Sequence, residues 1–167
     1  MDRLNWIKDL VQAEMEMEES GMIDFSESFD PSETLFTETK SYLGDLRAAF
    51  VETSSAFNQL KGSTSGRIKI YGISNTDSDF MLFRNGYKLI FAMAEPGRIT
   101  IRFVHIGSTM MPDPGAEDSA SPRTGEDSLT SKWGAFGDLI WTYQDKEIKL
   151  DYLVRFYLSR FIRESAK

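Results

Sequence analysis

The sequence predicts an α+β protein, a two-layer domain in which amphipathic helices pack against a five-stranded antiparallel sheet. Two turn dipeptides, Asn85-Gly86 and Pro96-Gly97, separate runs rich in β-branched and aromatic residues in the middle of the chain. On both sides of these runs, apolar residues recur at helical spacing. A chain of 167 residues can bury a substantial core, so we expect a single domain over residues 1–167.

Two helices are predicted before the sheet. An acidic amphipathic helix is predicted over residues 1–20, where apolar residues recur every three or four positions and several glutamates follow. A long helix is predicted over residues 31–60, with Pro31 suited to its first position. If it is unbroken to Leu60, this helix is roughly 45 Å long at 1.5 Å per residue; the alternative is a bend at Gly44 or in the stretch Thr53-Ser54-Ser55.

A β-meander of four short strands is predicted over residues 67–106. Asn-Gly is a strong hairpin signal because both turn residues need positive φ, and Pro96-Gly97 supplies the next reversal. If each dipeptide forms a two-residue turn, the register of the strands is fixed. Ile90 then lies opposite Phe103.

In that register both faces of the meander are largely apolar. The expected core face carries Met81, Phe83, Ile90, Ala92, Ile99, Ile101 and Phe103. The second face carries Phe80, Leu82, Leu89, Phe91, Met93 and Val104, interrupted by Arg84, Thr100 and Arg102. Because a sheet with one wet face alternates more cleanly, we expect helices, a ligand or a partner to cover this second face.

Three further segments complete the prediction. Residues 107–131 are rich in proline, glycine, serine and acids, which predicts a flexible loop, with a functional lid or partner-binding segment as the alternative. A fifth strand is predicted over residues 135–143. The C-terminal helix, over residues 149–164, has the most regular apolar stripe of the chain, with Phe161 in its middle.

Composition excludes several classes of function. The chain has no cysteine, which excludes disulfides and thiolate chemistry and is typical of the reducing cytoplasm. Its formal charge of −7 opposes non-specific attraction to nucleic acid or to an anionic membrane. No apolar run reaches the length of a membrane-spanning helix, and the N-terminus lacks the pattern of a secretory signal. We therefore expect a cytoplasmic protein without a nucleic-acid or membrane partner.

No motif predicts catalysis, a cofactor or a metal site. The single histidine, His105, ends a strand and is expected to be structural. One histidine without cysteine does not make a typical zinc site. Asn75–Asp79 resembles the start of an EF-hand loop but lacks its glycine and bidentate glutamate. Gly62–Gly66 is glycine-rich but precedes a strand, whereas a phosphate-binding P-loop follows one.

These observations predict a non-enzymatic protein-binding module, an adaptor or chaperone-like factor that acts as a homodimer. The dimer is expected to use the helix over residues 31–60, because its apolar face is longer than five short strands can cover. Twofold dimers are also the commonest soluble oligomers. An enzyme that uses carboxylates and arginines is the least favoured hypothesis.

The partner or ligand surface is expected at Phe80, Leu82, Arg84, Phe91, Met93, Arg102, Trp141 and Tyr143. In the alternative hypothesis, the curved sheet closes with the C-terminal helix around a cavity for a small hydrophobic ligand. Phe80, Phe91, Met93, Trp141 and Tyr143 would then line the cavity. The two arginines distinguish these hypotheses, since exposed side chains favour a partner surface and enclosed ones favour an acidic ligand.

Overall fold

The computed structural model of the chain describes residues 4–22, 31–106 and 125–166. The chain forms two compact units, Met1–Pro31 and Ser32–Lys167. The described helices are α1 (Asn5–Ser20), α2 (Pro31–Lys61) and α3 (Leu150–Glu164), and the described strands are β1 (Lys69–Gly72), β2 (Phe80–Arg84), β3 (Tyr87–Glu95), β4 (Arg98–His105), β5 (Glu126–Trp133), β6 (Leu139–Tyr143) and β7 (Lys146–Glu147). Within the described residues, no helix is both long enough and apolar enough to cross a membrane.

The smaller unit contains α1, which lies within the range predicted for the acidic helix. Gly21 ends this helix in the left-handed conformation, with φ of 67°, and its N–H donates to the carbonyl of Met17 at 2.9 Å. Glycine favours this kind of helix end because it has no Cβ to clash. None of the residues of α1 is buried.

Helix α2 of the larger unit runs without a break for 31 residues. Its buried residues recur every three or four positions and so share one face: Thr39, Leu43, Leu46, Phe50 and Ser54. Tyr42 stacks on Trp141 of β6, with ring centroids 4.8 Å apart. Further along the helix, Phe50 contacts Phe91 of β3 at 4.9 Å. Helix α2 therefore crosses several strands instead of following one.

The sheet has seven strands in the order β1 to β7, each antiparallel to its neighbours, so the prediction of a five-stranded sheet is wrong. Strand β5 begins inside the range 107–131 predicted as a loop and ends two residues beyond it; it is mostly polar, and its one buried residue is Leu129. Strand β7 has two residues and follows a turn at Gln144 and Asp145, which both have positive φ. This turn lacks the glycine by which hairpin turns of this kind are usually recognised in a sequence. Residues 107–124 of the predicted loop lie outside the described residues.

The pairing of β3 with β4 differs from the prediction by one residue. The Pro-Gly turn is present, but Ala94 forms a β-bulge just before it, so that Leu89 instead of Ile90 lies opposite Phe103. The side chain of Asp79 accepts a hydrogen bond at 3.0 Å from the backbone N–H that precedes the bulged residue. Successive side chains of a strand lie on opposite faces of the sheet. The extra residue therefore exchanges the two faces of β3 relative to β4, so that Leu89 and not Ile90 shares a face with Phe103.

The corrected register places the large apolar side chains on one face, which both α2 and α3 cover. Its buried members are Phe80, Leu82, Tyr87, Leu89, Phe91, Ile99, Ile101, Leu129 and Trp141. The predicted core face mixed two sets: Ile99, Ile101 and Phe103 lie on this covered face, whereas Met81, Phe83, Ile90 and Ala92 lie on the opposite face. That part of the prediction is wrong because it did not include the bulge.

The wider sheet covers more of α2 than a five-stranded sheet would. At about 4.8 Å between strands, seven strands span about 29 Å, against about 19 Å for five. The buried stretch of α2 runs from Thr39 to Ser54, which is about 23 Å at 1.5 Å per residue. The sheet is thus wide enough to cover this stretch without a second copy of the chain, and homodimerisation stays a prediction.

Candidate protein-binding face

Most of the predicted surface residues lie in the core beneath the helices. Phe80, Leu82 and Phe91 are fully buried, and Trp141 is nearly so. The rings of Phe80 and Phe91 stack with centroids 5.0 Å apart. Half-buried Met93 and Tyr143 pack at the margin of the same core. A partner cannot reach the four buried side chains while α2 and α3 cover them.

Arg84 is also buried, with 4% of its surface exposed, and it holds the end of α3 in place. Its Nε donates to the carbonyl of Gly66 at 2.8 Å, and its Nη1 donates to the carbonyl of Ile162 at 2.9 Å and to the hydroxyl of Ser165 at 3.2 Å. The guanidinium lies 5.2 Å from the ring centroid of Phe57 in α2. A cation at a helix C-terminus is stabilised by the exposed carbonyls and the helix dipole, so these contacts give Arg84 a structural role.

Aromatic contacts occupy part of the space proposed as a cavity in the alternative hypothesis, since Phe80 stacks on Phe91 and Trp141 stacks on Tyr42. The enclosed space between α3 and strands β3 to β5 has a volume of about 110 Å³, with Leu89, Ile101, Phe103 and Phe161 among its lining residues. Sites for drug-sized ligands usually have about 300–1,000 Å³. Among the described residues, this space is therefore too small for such a ligand.

A carboxylate and two tyrosines join β5, β6 and α3 beside that space. Tyr157 donates from its hydroxyl to Asp127 at 2.8 Å, and Tyr143 donates to the same carboxylate at 3.4 Å. Burial, together with the hydrogen bond to Asp127, raises the pKa of Tyr157 well above its ordinary value. The two hydrogen bonds to Asp127 link β5 to β6 and to α3.

His105 belongs to no cluster of metal ligands in the described part of the chain. The ring of His105 stacks on Tyr87, with centroids 4.1 Å apart, at the end of β4. Among the described residues, no group of three or more histidine, aspartate or glutamate side chains is placed to hold a metal ion.

The opposite side of the sheet carries a second group of apolar residues, which we call the open face. It consists of Tyr71, Met81, Phe83, Ile90 and Val104, together with the basic residues Lys69, Lys88 and Arg102. Tyr71 is 46% exposed. None of these apolar residues packs against the core cluster, to which both α2 and α3 contribute. Within the described residues of the larger unit, α2 and α3 therefore cover the other side of the sheet, and Met81, Phe83, Ile90 and Val104 on this side are half-buried.

Strand register makes the open face continuous across four strands. Tyr71 pairs with Met81 and Met81 pairs with Ile90, so these three side chains form one row. In the next row Phe83 lies between Lys69 and Lys88. Directly opposed side chains on one face have Cβ atoms about 4.5–5.5 Å apart. The apolar residues therefore form a single patch.

Three basic residues lie within and beside this patch. Lys69 and Lys88 lie on β1 and β3, and Arg102, the one predicted surface residue on this side, lies on β4 next to Ile90. Glu126 of β5 is the acidic neighbour, opposite Arg102. The whole chain has a formal charge of −7, so a local excess of cations on one face is a specific feature of this surface.

The chain matches no protein-family model, and comparisons with curated proteins and with solved structures find no match. The fold and the site together define a two-layer α+β domain whose sheet has one helix-covered face and one open face that carries basic residues among its apolar ones.

Proposed function

We propose that the protein is a non-enzymatic protein-binding module, an adaptor or chaperone-like factor, that binds its partner on the open face. The observation that carries this proposal is the one-sided covering of the sheet by α2 and α3. Contiguous exposed apolar patches rimmed by polar residues mark interaction sites more often than scattered apolar residues do. The absence of cysteine suits such a role in the reducing cytoplasm.

The chemistry of the open face favours a partner segment that has both apolar and acidic side chains. Met81, Ile90 and Val104 provide aliphatic contacts, which supply binding energy by removing apolar area from water. Lys88 and Arg102 would pair with carboxylates, and such pairs contribute mainly to the rate of association and to orientation.

Single-stranded nucleic acid is the competing class of partner, because Tyr71 and Phe83 could stack on bases. The formal charge of −7 opposes the counterion-driven attraction on which such binding depends. Most of the apolar residues of the open face are also aliphatic and offer no stacking surface. A protein partner therefore fits this face better.

Photo-crosslinking in the cell that expresses the protein tests this proposal. A photoreactive phenylalanine analogue replaces Phe83 on the open face, and the matched control replaces Phe156 of α3, which is 59% exposed. We expect one protein to crosslink at position 83 and not at 156. The purified partner should then lose affinity for Lys88→Glu and keep it for a Lys146→Glu control on the exposed strand β7.

Three outcomes would contradict the proposal. Equal crosslinking at both positions would show that the open face is not selective. Affinity that is unchanged by Lys88→Glu would place the contact elsewhere. Saturable binding of a 20-nucleotide oligothymidine that Lys88→Glu weakens would favour nucleic acid instead. Light scattering on the same samples tests homodimerisation. A dimer that packs two open faces together would bring their lysines and arginines close to one another, and like charges that lie opposite each other are destabilising.

A further inference from the structure

Helix α1 has an apolar stripe along one side, and none of the residues of this helix is buried. Trp6 is 61% exposed, Leu10 59% and Val11 51%. Ile7 and Met17 extend the same side of the helix, because residues three, four and seven positions apart lie together. This stripe is distinct from the open face, since it belongs to the smaller of the two compact units.

The helix has few internal sources of stability. No side chain caps its N-terminus at Leu4, its first turn has no acidic residue, and its last turn has no basic one. Glu18 and Glu19 lie near its C-terminus, where negative charge opposes the helix dipole. Isolated helices shorter than about 12–15 residues are marginal in water even when they are rich in alanine, and α1, with 16 residues, is barely longer. Helix α1 therefore gains most if its apolar stripe packs against another surface.

Charge decides which kind of surface fits. The helix carries Asp9, Glu14, Glu16, Glu18 and Glu19, against the single base Lys8. Two copies of α1 packed together would bring these acids close to one another, and like charges repel. Anionic membranes attract basic amphipathic helices and repel acidic ones. The complementary surface is an apolar groove lined by lysine or arginine.

We propose that α1 is a second recognition element, an acidic amphipathic helix that docks into a basic, apolar groove of a partner protein. Helix-in-groove recognition uses anchors three, four and seven positions apart, and Trp6, Leu10, Ala13 and Met17 follow one another at intervals of four, three and four residues. The protein would then have two binding surfaces of opposite charge, which suits an adaptor.

Binding of a synthetic probe to the full chain tests this proposal. The probe is a fluorescent 18-residue amphipathic helix of leucine and lysine, and its anisotropy is measured against increasing protein concentration. We expect saturable binding that weakens as salt rises, because screening shortens the range of charge interactions. A matched leucine–glutamate peptide should show no binding that depends on Leu10 of α1, because its charge has the same sign as that of the helix.

Paired variants locate the contact. Leu10→Ser should weaken binding of the basic probe about tenfold, since burial of one leucine side chain contributes at least that much. Leu60→Ser, at an 89% exposed leucine near the end of α2, is the matched control and should change affinity by less than about twofold. The double variant Glu14→Gln, Glu18→Gln keeps a helix-forming residue at both positions. It should lower the affinity for the basic probe at low salt concentration and leave it unchanged at high salt concentration.

Each contrary result would overturn the proposal. Equal effects of Leu10→Ser and Leu60→Ser would place the probe elsewhere on this acidic chain. A self-association in light scattering that Leu10→Ser abolishes would assign the stripe to a second copy. Sedimentation of the full chain with vesicles of phosphatidylcholine and phosphatidylserine, lost in Leu10→Ser, would assign it to lipid.

Discussion

Arg84 allows a sharp test of how the larger unit is held together. Replacement by methionine keeps most of the side-chain volume and removes the donors to the carbonyls of Gly66 and Ile162 and to the hydroxyl of Ser165. Hydrogen bonds to a charged group contribute about 1.5–3 kcal/mol each, and a buried acceptor left without a donor costs about 1–3 kcal/mol.

The gain from no longer burying a charge opposes this loss. Apolar replacement of buried ionic groups is neutral or stabilising in some proteins, because the desolvation cost disappears. The acceptors of Arg84 are neutral oxygens fixed at a helix end and a loop, and they stay in place without it. We therefore expect Arg84→Met to lower the free energy of unfolding by about 2–4 kcal/mol.

Urea unfolding followed by circular dichroism measures this change. Arg102→Met on the open face is the matched control, and we expect it to stay within about 0.5 kcal/mol of the parent protein. Arg84→Lys keeps the charge but has no planar fork of donors, so its stability should fall between that of Arg84→Met and that of the parent protein. A parent-like stability of Arg84→Met would refute this account and show that desolvation cancels the hydrogen bonds.

Three other perturbations test separate parts of the fold. Phe161→Ala should cost about 3–5 kcal/mol in urea unfolding, because Phe161 is 1% exposed; a cost below about 0.5 kcal/mol would mean that α3 does not pack on the sheet. Burial and the nearby Asp45 raise the pKa of Tyr42 to about 12, so the folded state binds this proton more tightly and stability should fall as pH rises from 10 towards 12. Tyr42→Phe should make that decline shallower, and an identical pH dependence would contradict the assignment. Asp79→Ala should cost about 1 kcal/mol by removing the hydrogen bond beside the bulge, and an amide-exchange rate at Met93 equal to that of the parent would show that the bond does not form.

The elements with strong local signals were predictable from the sequence. Pro31 and an unbroken apolar face indicate α2, and the Asn85-Gly86 turn fixes the pairing of β2 with β3, in which Leu82 lies opposite Leu89. Strand β5 has no comparable signal, because polar residues flank its buried Leu129 on both sides. It forms because β4 and β6 offer ladder partners on either side, which is information that a local pattern does not contain.

The candidate site was harder to predict, since a single bulge decides which residues share a face. Strand β4 alternates cleanly, with Thr100 and Arg102 on one side and Ile99, Ile101 and Phe103 on the other. In β3, the charge of Lys88 indicates that this residue faces water. Its neighbour Leu89 then faces the core, on the same side as Ile99, Ile101 and Phe103 of β4. Turn geometry and charge alternation thus gave conflicting registers, and alternation was the more reliable guide.

The burial of charge explains why alternation wins over turn geometry. A register without the bulge would place Lys88 and the inward residues of β4 on the same helix-covered face. An unpaired lysine there would lose its hydration, and Leu89, which is 3% exposed, would face water. A bulge leaves one residue unpaired and disrupts the ladder locally, which is the smaller cost. The same slip places Ile90 beside Arg102 instead of Phe103, so the bulge that completes the core also creates the mixed apolar and basic character of the open face.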